Sequence, residues 1–333
     1  MKLGLVWGSI AGAAAGAVAA IAALVPVYGN QKSNAPMANI EPCNKRFCQY
    51  LQNPQGHWLY TKQWSVPNPV AILFISHGLG DHILRYEHVA RYFNLHNFSV
   101  FGVDHQGHGQ SHGTEMYVER FDDIIDDYLM FIEKTMASLP TAIAGLPKFL
   151  LGHSMGGAIA IHTAMRSQKG FFDGVVLSSP MLKADPATAT PMKIYIAKLL
   201  SKYLPKLPVG SLSLSLLTVC DDVKYQAKSD KLYIKKALPA RVGSELIREM
   251  EFLQDHADEV VFPYHIFYGT HDKITAPEGM QAWSNNTQSE DKSMTGFPGL
   301  MHEIMNEQSA QDVLHAMLTW IMGKMPLKEI GGN

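Results

Sequence analysis

Cysteine is scarce in this sequence, with three in 333 residues, too few to staple a small disulfide scaffold. An excess of charge of one sign is missing as well: 28 Lys and Arg stand against 30 Asp and Glu. Nucleic-acid binding draws most of its affinity from a basic excess, so no nucleic-acid partner is expected. The metal-ligand patterns H-E-x-x-H and C-x-x-C do not occur, and neither a metal nor another cofactor is expected. What is present is core-forming material. An apolar fraction of 47%, with 10% aromatic and 17% charged residues, excludes a disordered chain and fits a globular one.

Charge is also absent from one continuous stretch, Leu3 to Val27, rich in Ala and Gly. A bilayer-spanning helix needs about 20 apolar residues, and a secretory signal only about 7 to 15, so the run reads as an uncleaved anchor in preference to a cleaved signal. Gly8, Gly12 and Gly16 fall four apart and would give one helix face flat spots for close packing. Residues 1–30 are therefore expected to hold the protein at a membrane, with Lys2 before the run and Lys32, Lys45 and Arg46 after it leaving the side open. Residues 31–55 read as a linker. In an oxidising lumen Cys43 and Cys48 would suit a disulfide, and the tripeptides at Asn97 and Asn285 read as glycosylation acceptors. Cys220 reads as an inert thiol.

From residue 56 to 333 short apolar runs alternate with helix-period stretches. Val70–Ile75, Ser99–Val103, Lys148–Leu151, Gly174–Leu177 and His265–Tyr268 read as strands buried on both faces of a parallel sheet. Residues 86–94, 121–138, 156–167 and 309–322 read as helices, and the alternation predicts a doubly wound α/β domain. About 181–262 breaks the pattern and reads as an insertion. Within it Pro191–Leu204 is amphipathic, with Ile196, Leu199, Leu200 and Tyr203 on one face and Lys198 and Lys202 opposite. That helix either packs its apolar face on the main domain or presents it, as a lid, to a lipid surface. The alternation Ser211–Leu216 is compatible with a strand or a lid loop.

The chemistry concentrates in Gly152-His153-Ser154-Met155-Gly156, a G-x-S-x-G stretch directly after a strand and at the start of a helix. In that context the turn projects a serine hydroxyl above the sheet, and the amide of Met155 faces the place where an oxyanion forms. A serine needs a base and an orienting carboxylate, which follow in the order Ser, acid, His. Asp272, just after the 265–268 strand, and His302, in a loop before the last helix, fit; His271, His265 and His315 are rival bases and Asp291 a rival acid. The loop Ser76–His82 offers the second oxyanion donor at Leu79, with His77 bracing it. Asp104–Ser111, despite its histidines, reads as a tight turn rather than a metal site.

With those motifs in place, residues 74–181 resemble the monoglyceride lipase family, through H-G-x-G, D-H-x-G-H-G-x-S and G-H-S-M-G-G. The likeness returns at Asp272 and His302. It implies an α/β-hydrolase fold, a mostly parallel sheet with helices on both faces and an inserted helical cap. It further implies a triad of Ser154, Asp272 and His302, and a monoacylglycerol cleaved to fatty acid and glycerol. It also places Tyr225 at the glycerol end of the pocket. Asp81 departs from the family's usual Glu. A lysophospholipase, another carboxylesterase or an acyltransferase could use the same scaffold, and a non-catalytic lipid-binding or interaction protein is the reading from another class.

Overall fold

The computed structural model describes residues 49–325, apart from residues 188 and 212. Ten strands run in chain order: β1 (Tyr50–Gln52), β2 (Trp58–Trp64), β3 (Ala71–Ser76), β4 (Phe98–Val103), β5 (Lys148–His153), β6 (Gly174–Ser178), β7 (Pro208–Gly210), β8 (Leu238–Pro239), β9 (Tyr264–Gly269) and β10 (Lys292–Phe297). The helices that matter for the site are α1 (Glu87–Asn94), α2 (Phe121–Ser138), α3 (Met155–Arg166), α4 (Pro191–Tyr203), α5 (Asp221–Ser229), α6 (Ala240–Asp255), α7 (Pro277–Asn286) and α8 (Ala310–Lys324).

Eight of the strands form one sheet in the order β1-β2-β4-β3-β5-β6-β9-β10. From β4 to β10 neighbours are parallel, and β1 and β2 are antiparallel additions at one edge. Side chains alternate across the sheet, so a strand covered on both faces is apolar throughout. Ile72 and Phe74 join Leu150, Val175 and Ile266 under α2, α3, α6 and α7. Leu73 and Ile75 join Val100, Leu151, Val176 and Phe267 under α1 and α8. This is the α/β-hydrolase fold. From β3 the chain steps to β4 on one side and later to β5 on the other, so the order reverses between β3 and β5. Ligand sites of open α/β sheets lie outside the carboxyl ends of the strands at such a reversal.

The segment between β6 and β9 contains α4, β7, a short helical turn Leu214–Leu217, α5, β8 and α6. The alternating serines and leucines therefore run into a helical turn, with Ser213 accepting from the Ser215 amide. α6 is a regular layer helix as well: Val242, Leu246 and Leu253 enter the core beside α2 and α3. Its helical period was hidden from the sequence reading by Glu245 and Glu249, which are buried although charged. α4 occupies the expected residues, and of the two arrangements open to it the one found leaves large apolar residues facing outward. Ala197 and Ser201 are its buried positions, while Ile196, Leu199 and Tyr203 are 43, 43 and 51% exposed. Two small residues four apart let α4 approach α6 closely, which a stripe of large side chains would prevent.

The expectation of a membrane-associated chain is corrected by the structure: no helix among the described residues is long and apolar enough to cross a membrane. The 18-residue α2 carries Asp122, Asp123, Asp126, Asp127, Glu133 and Lys134, charges that a bilayer core does not tolerate on a spanning helix. The apolar run of residues 1–30, together with Cys43 and Cys48, lies outside the described residues. β1 falls within the stretch expected as linker.

Replacing Ala197 by Leu overfills the α4–α6 contact. The expected loss is about 1–3 kcal/mol of stability, read as a lower urea midpoint; an unchanged midpoint would mean that the two helices are not closely packed.

Candidate active site

The serine turn is built by close approach. Ser154, between β5 and α3, has φ 54° and ψ −118°, a strained conformation for a residue with a side chain. Its amide donates to the Ser178 carbonyl at 3.0 Å, and its own carbonyl accepts from Met181 at 2.9 Å. A β-carbon at Gly156 would stand 2.1 Å from the Ser76 carbonyl oxygen, and one at Gly152 would stand 2.3 Å from the Gly156 oxygen. Both positions admit only glycine, and the first pins the helix start against the end of β3.

His302 and Asp272 meet behind this turn. Nδ1 of His302 lies 2.8 Å from Oδ2 of Asp272, and the residues are 2 and 3% exposed. The Thr275 hydroxyl donates to the same Oδ2 at 2.7 Å, and the Ile274 and Thr275 amides donate to Oδ1 at 2.8 and 3.0 Å. Burial pushes the Asp272 carboxyl up, but the His302 charge and these hydrogen bonds outweigh it and hold it below its ordinary value. An ionised, fully hydrogen-bonded Asp272 fixes the Nδ1–H tautomer of His302 and leaves Nε2 for a proton. The ring of His153 packs 4.9 Å from that of His302.

The glycine loop after β3 runs beside the nucleophile. A β-carbon on Gly78 would sit 3.3 Å from Ser154 Cβ, so Leu79 follows directly on the point of closest approach. His77 braces this loop from beneath. The His105 amide donates to its Nε2 at 3.0 Å, so its proton is on Nδ1, which donates to the Gly78 carbonyl at 2.8 Å. Burial and the nearby His108 lower His77 to about 3, and burial followed by the His302 charge lowers His153 to about 4. His105 bonds the Ser76 hydroxyl, and Asp104 accepts from the Ile83 and Gln110 amides. These side chains hold turns together, and no group of three or more His, Cys, Asp or Glu among the described residues is arranged to hold a metal ion.

Leu79 follows β3, Ser154 and Met155 follow β5, Asp272 follows β9 and His302 follows β10, all at the carboxyl edge of the parallel strands. The rivals are occupied elsewhere. His265 bonds Ser293 and Thr295 within the sheet, Asp291 pairs with Lys324, and His271 and His315 are exposed. Tyr225 is 72% exposed on α5. The insert aromatic that reaches the buried loops is instead Tyr233, whose ring lies 4.9 Å from the Arg85 guanidinium. Thr275, Arg85 and Glu303 escaped the sequence reading. The Asx-turn that Asp272 makes with the Ile274 amide is a local pattern, but it does not single out Thr275.

A strained serine joining strand to helix, with a buried Asp–His pair at the same sheet edge, defines a serine hydrolase of the α/β-hydrolase fold. The serine aminopeptidase S33 family model matches residues 67–309. Human monoglyceride lipase is 34% identical over 275 residues, spanning 82% of this chain and 89% of that protein. The crystal structure of Paleococcus ferrophilus monoacylglycerol lipase superposes with a TM-score of 0.70 at 27% identity, covering 80% of this chain and 99% of that one. A soluble variant of Saccharomyces cerevisiae monoglyceride lipase, solved with a substrate analogue, shares the fold with a TM-score of 0.76 at 23% identity, covering 89% and 99%. The chain belongs to the monoglyceride lipase family of α/β-hydrolases and is an enzyme acting on carboxylic esters.

The buried neutral histidines make the protein acid-sensitive. A His whose folded pKa is depressed binds fewer protons than in the unfolded chain, so stability falls as pH drops below the ordinary value of 6.5 toward the folded value of about 4 for His153. His153 alone accounts for about 2 kcal/mol between pH 6.5 and pH 5. The urea midpoint should therefore drop over that interval; a flat midpoint would show that these imidazoles are not held neutral.

Proposed function

We propose that the protein hydrolyses monoacylglycerols to fatty acid and glycerol through an acyl-enzyme on Ser154. The observation that carries this reading is the 2.8 Å bond between His302 and Asp272, buried at the strand edge where Ser154 stands on its strained turn. His302 takes the Ser154 proton through Nε2 as Oγ attacks the ester carbonyl. The tetrahedral oxyanion is held by the amides of Leu79 and Met155, the second at the positive end of α3. His302 then protonates the departing glycerol oxygen, and water activated by the same imidazole releases the fatty acid. Asp272 orients the ring and stabilises its charged form. Nothing in this route calls for a cofactor.

The substrate reading is supported by the names of the relatives and by the insert, residues 181–262, which lies against the site loops and acts as their cap. Tyr225 is not retained as the glycerol contact, because its exposure sets it outside the buried group.

Two variants test the chemistry. Ser154→Ala should lose turnover and fluorophosphonate labelling together, and Asp272→Asn should lower kcat by about 10⁴-fold. Substrate class is read from a matched panel of monoacylglycerols, lysophospholipids and simple esters. Preference for monoacylglycerols supports the proposal; preference for another ester reassigns the substrate while leaving the triad standing; a labelled and active Ser154→Ala protein removes both.

A further inference from the structure

One buried cation has no part in the proton transfers. Arg85 follows the glycine loop in the helical turn Ile83–Tyr86, and its side chain is 12% exposed. Nη1 donates to Asp81 Oδ1 at 3.1 Å and to Glu303 Oε1 at 3.3 Å, while Nη2 donates to Glu303 Oε2 at 2.7 Å. Both carboxylates have further donors. The Tyr86 hydroxyl donates to Asp81 Oδ2 at 3.1 Å, and the Asn306 amide donates to Glu303 Oε2 at 3.0 Å. The face of the guanidinium covers the ring of Tyr233 from the insert.

These partners belong to three segments that meet here. Asp81 ends the loop that carries Leu79. Glu303 follows His302 directly, and its amide donates to the Leu217 carbonyl of the insert at 2.9 Å. Ile234, next to Tyr233, donates to the Gly80 carbonyl at 2.8 Å, and Asp230 bonds His82 at 2.8 Å. The oxyanion loop, the catalytic-histidine loop and the insert are therefore joined around one side chain. Burial opposes the charge, but Asp81 and Glu303 together keep the guanidinium fully protonated and raise it above its ordinary value. Only arginine can form a forked bond to one carboxylate, a second bond to another and a stacked contact on a ring at once. A buried ion cluster is a weak stabiliser, because desolvation offsets the attraction, and its best-attested use is to fix one arrangement among several.

We propose that Arg85 is a positioning residue for the hydrolysis: through Asp81 and Glu303 it fixes Leu79 and His302 relative to each other, and through Tyr233 it makes that geometry depend on the seated insert. The proposal rests on the serine-hydrolase reading and not on monoacylglycerol as the substrate. Alignment of the oxyanion donors with the base is sensitive to displacements of about 1 Å, so loosening this junction lowers the rate of the chemical step in a protein that remains folded.

The test uses the full chain and the variants Arg85→Met, Arg85→Lys, Glu303→Gln and Tyr233→Leu, with folding checked by circular dichroism and urea titration. The readouts are kcat and KM on a short p-nitrophenyl ester, and the rate at which a small fluorophosphonate labels Ser154. Folded Arg85→Met and Glu303→Gln should lose about 100-fold in kcat, with KM near the wild-type value and labelling slowed in step. Arg85→Lys should recover only part of the loss. Tyr233→Leu should lower kcat less, with faster hydrogen exchange in residues 217–219 and 230–234. An unchanged kcat, a loss confined to KM, or full recovery by lysine would each overturn the proposal. If Arg85→Met does not fold, Glu303→Gln, which keeps the shape of the side chain, decides. Because both probes lack glycerol, failure of the wild type on monoacylglycerols would leave this test intact.

Discussion

The contact between Gly156 and the Ser76 carbonyl is the constraint on which the site depends. It sets the start of α3 against the end of β3, with no room for a side chain between them. Once that approach is made, the chain between β5 and α3 must turn within one residue, and Ser154 takes up a positive φ to do so. The strain is held by paired strands on both sides and by bonds from Ser154 to Ser178 and Met181. The same approach brings Gly78 beside Ser154, so the nucleophile and the loop bearing Leu79 are placed by one packing event rather than two.

The remainder of the site is held in the same manner, by groups that leave the reacting atoms little freedom. Asp272 accepts from His302, Thr275 and two backbone amides, which keeps it ionised although buried. His77 holds the carbonyl of Gly78 with a proton whose location is dictated by the His105 amide. Preorganisation of this kind removes the reorganisation that water would otherwise have to undergo as the oxyanion forms. The polar contacts among Asp81, Arg85, Glu303 and the insert extend that framework to residues 217–234.

Much of this was legible from the residues. The five central strands announce themselves because a strand buried on both faces carries an unbroken apolar run, as 71–75 and 175–177 do. Ser154, Asp272 and His302 follow from local turn patterns and chain order. β10 was not legible, because it is only partly buried and reads Lys-Ser-Met-Thr-Gly-Phe with no apolar run. α4 was found but which of its faces is buried was left open, since contact through Ala197 and Ser201 inverts the usual rule that large apolar residues turn inward. Arg85 and Glu303 are 218 residues apart, and an ion pair at that separation leaves no local pattern to detect. Tyr225 was placed by resemblance alone, and Tyr233 drew no notice because an aromatic on an exposed helix and one over a buried guanidinium look alike in one dimension.

The central claim is that an ester passes through a covalent intermediate on Ser154. The direct measurement is rapid-quench mass spectrometry of the protein mixed with a monoacylglycerol, followed by peptide mapping. The account predicts that the peptide containing Ser154 transiently gains the mass of the acyl group, and that this adduct decays as fatty acid appears. Fatty acid released with no acyl adduct, or with the adduct on another residue, would contradict it.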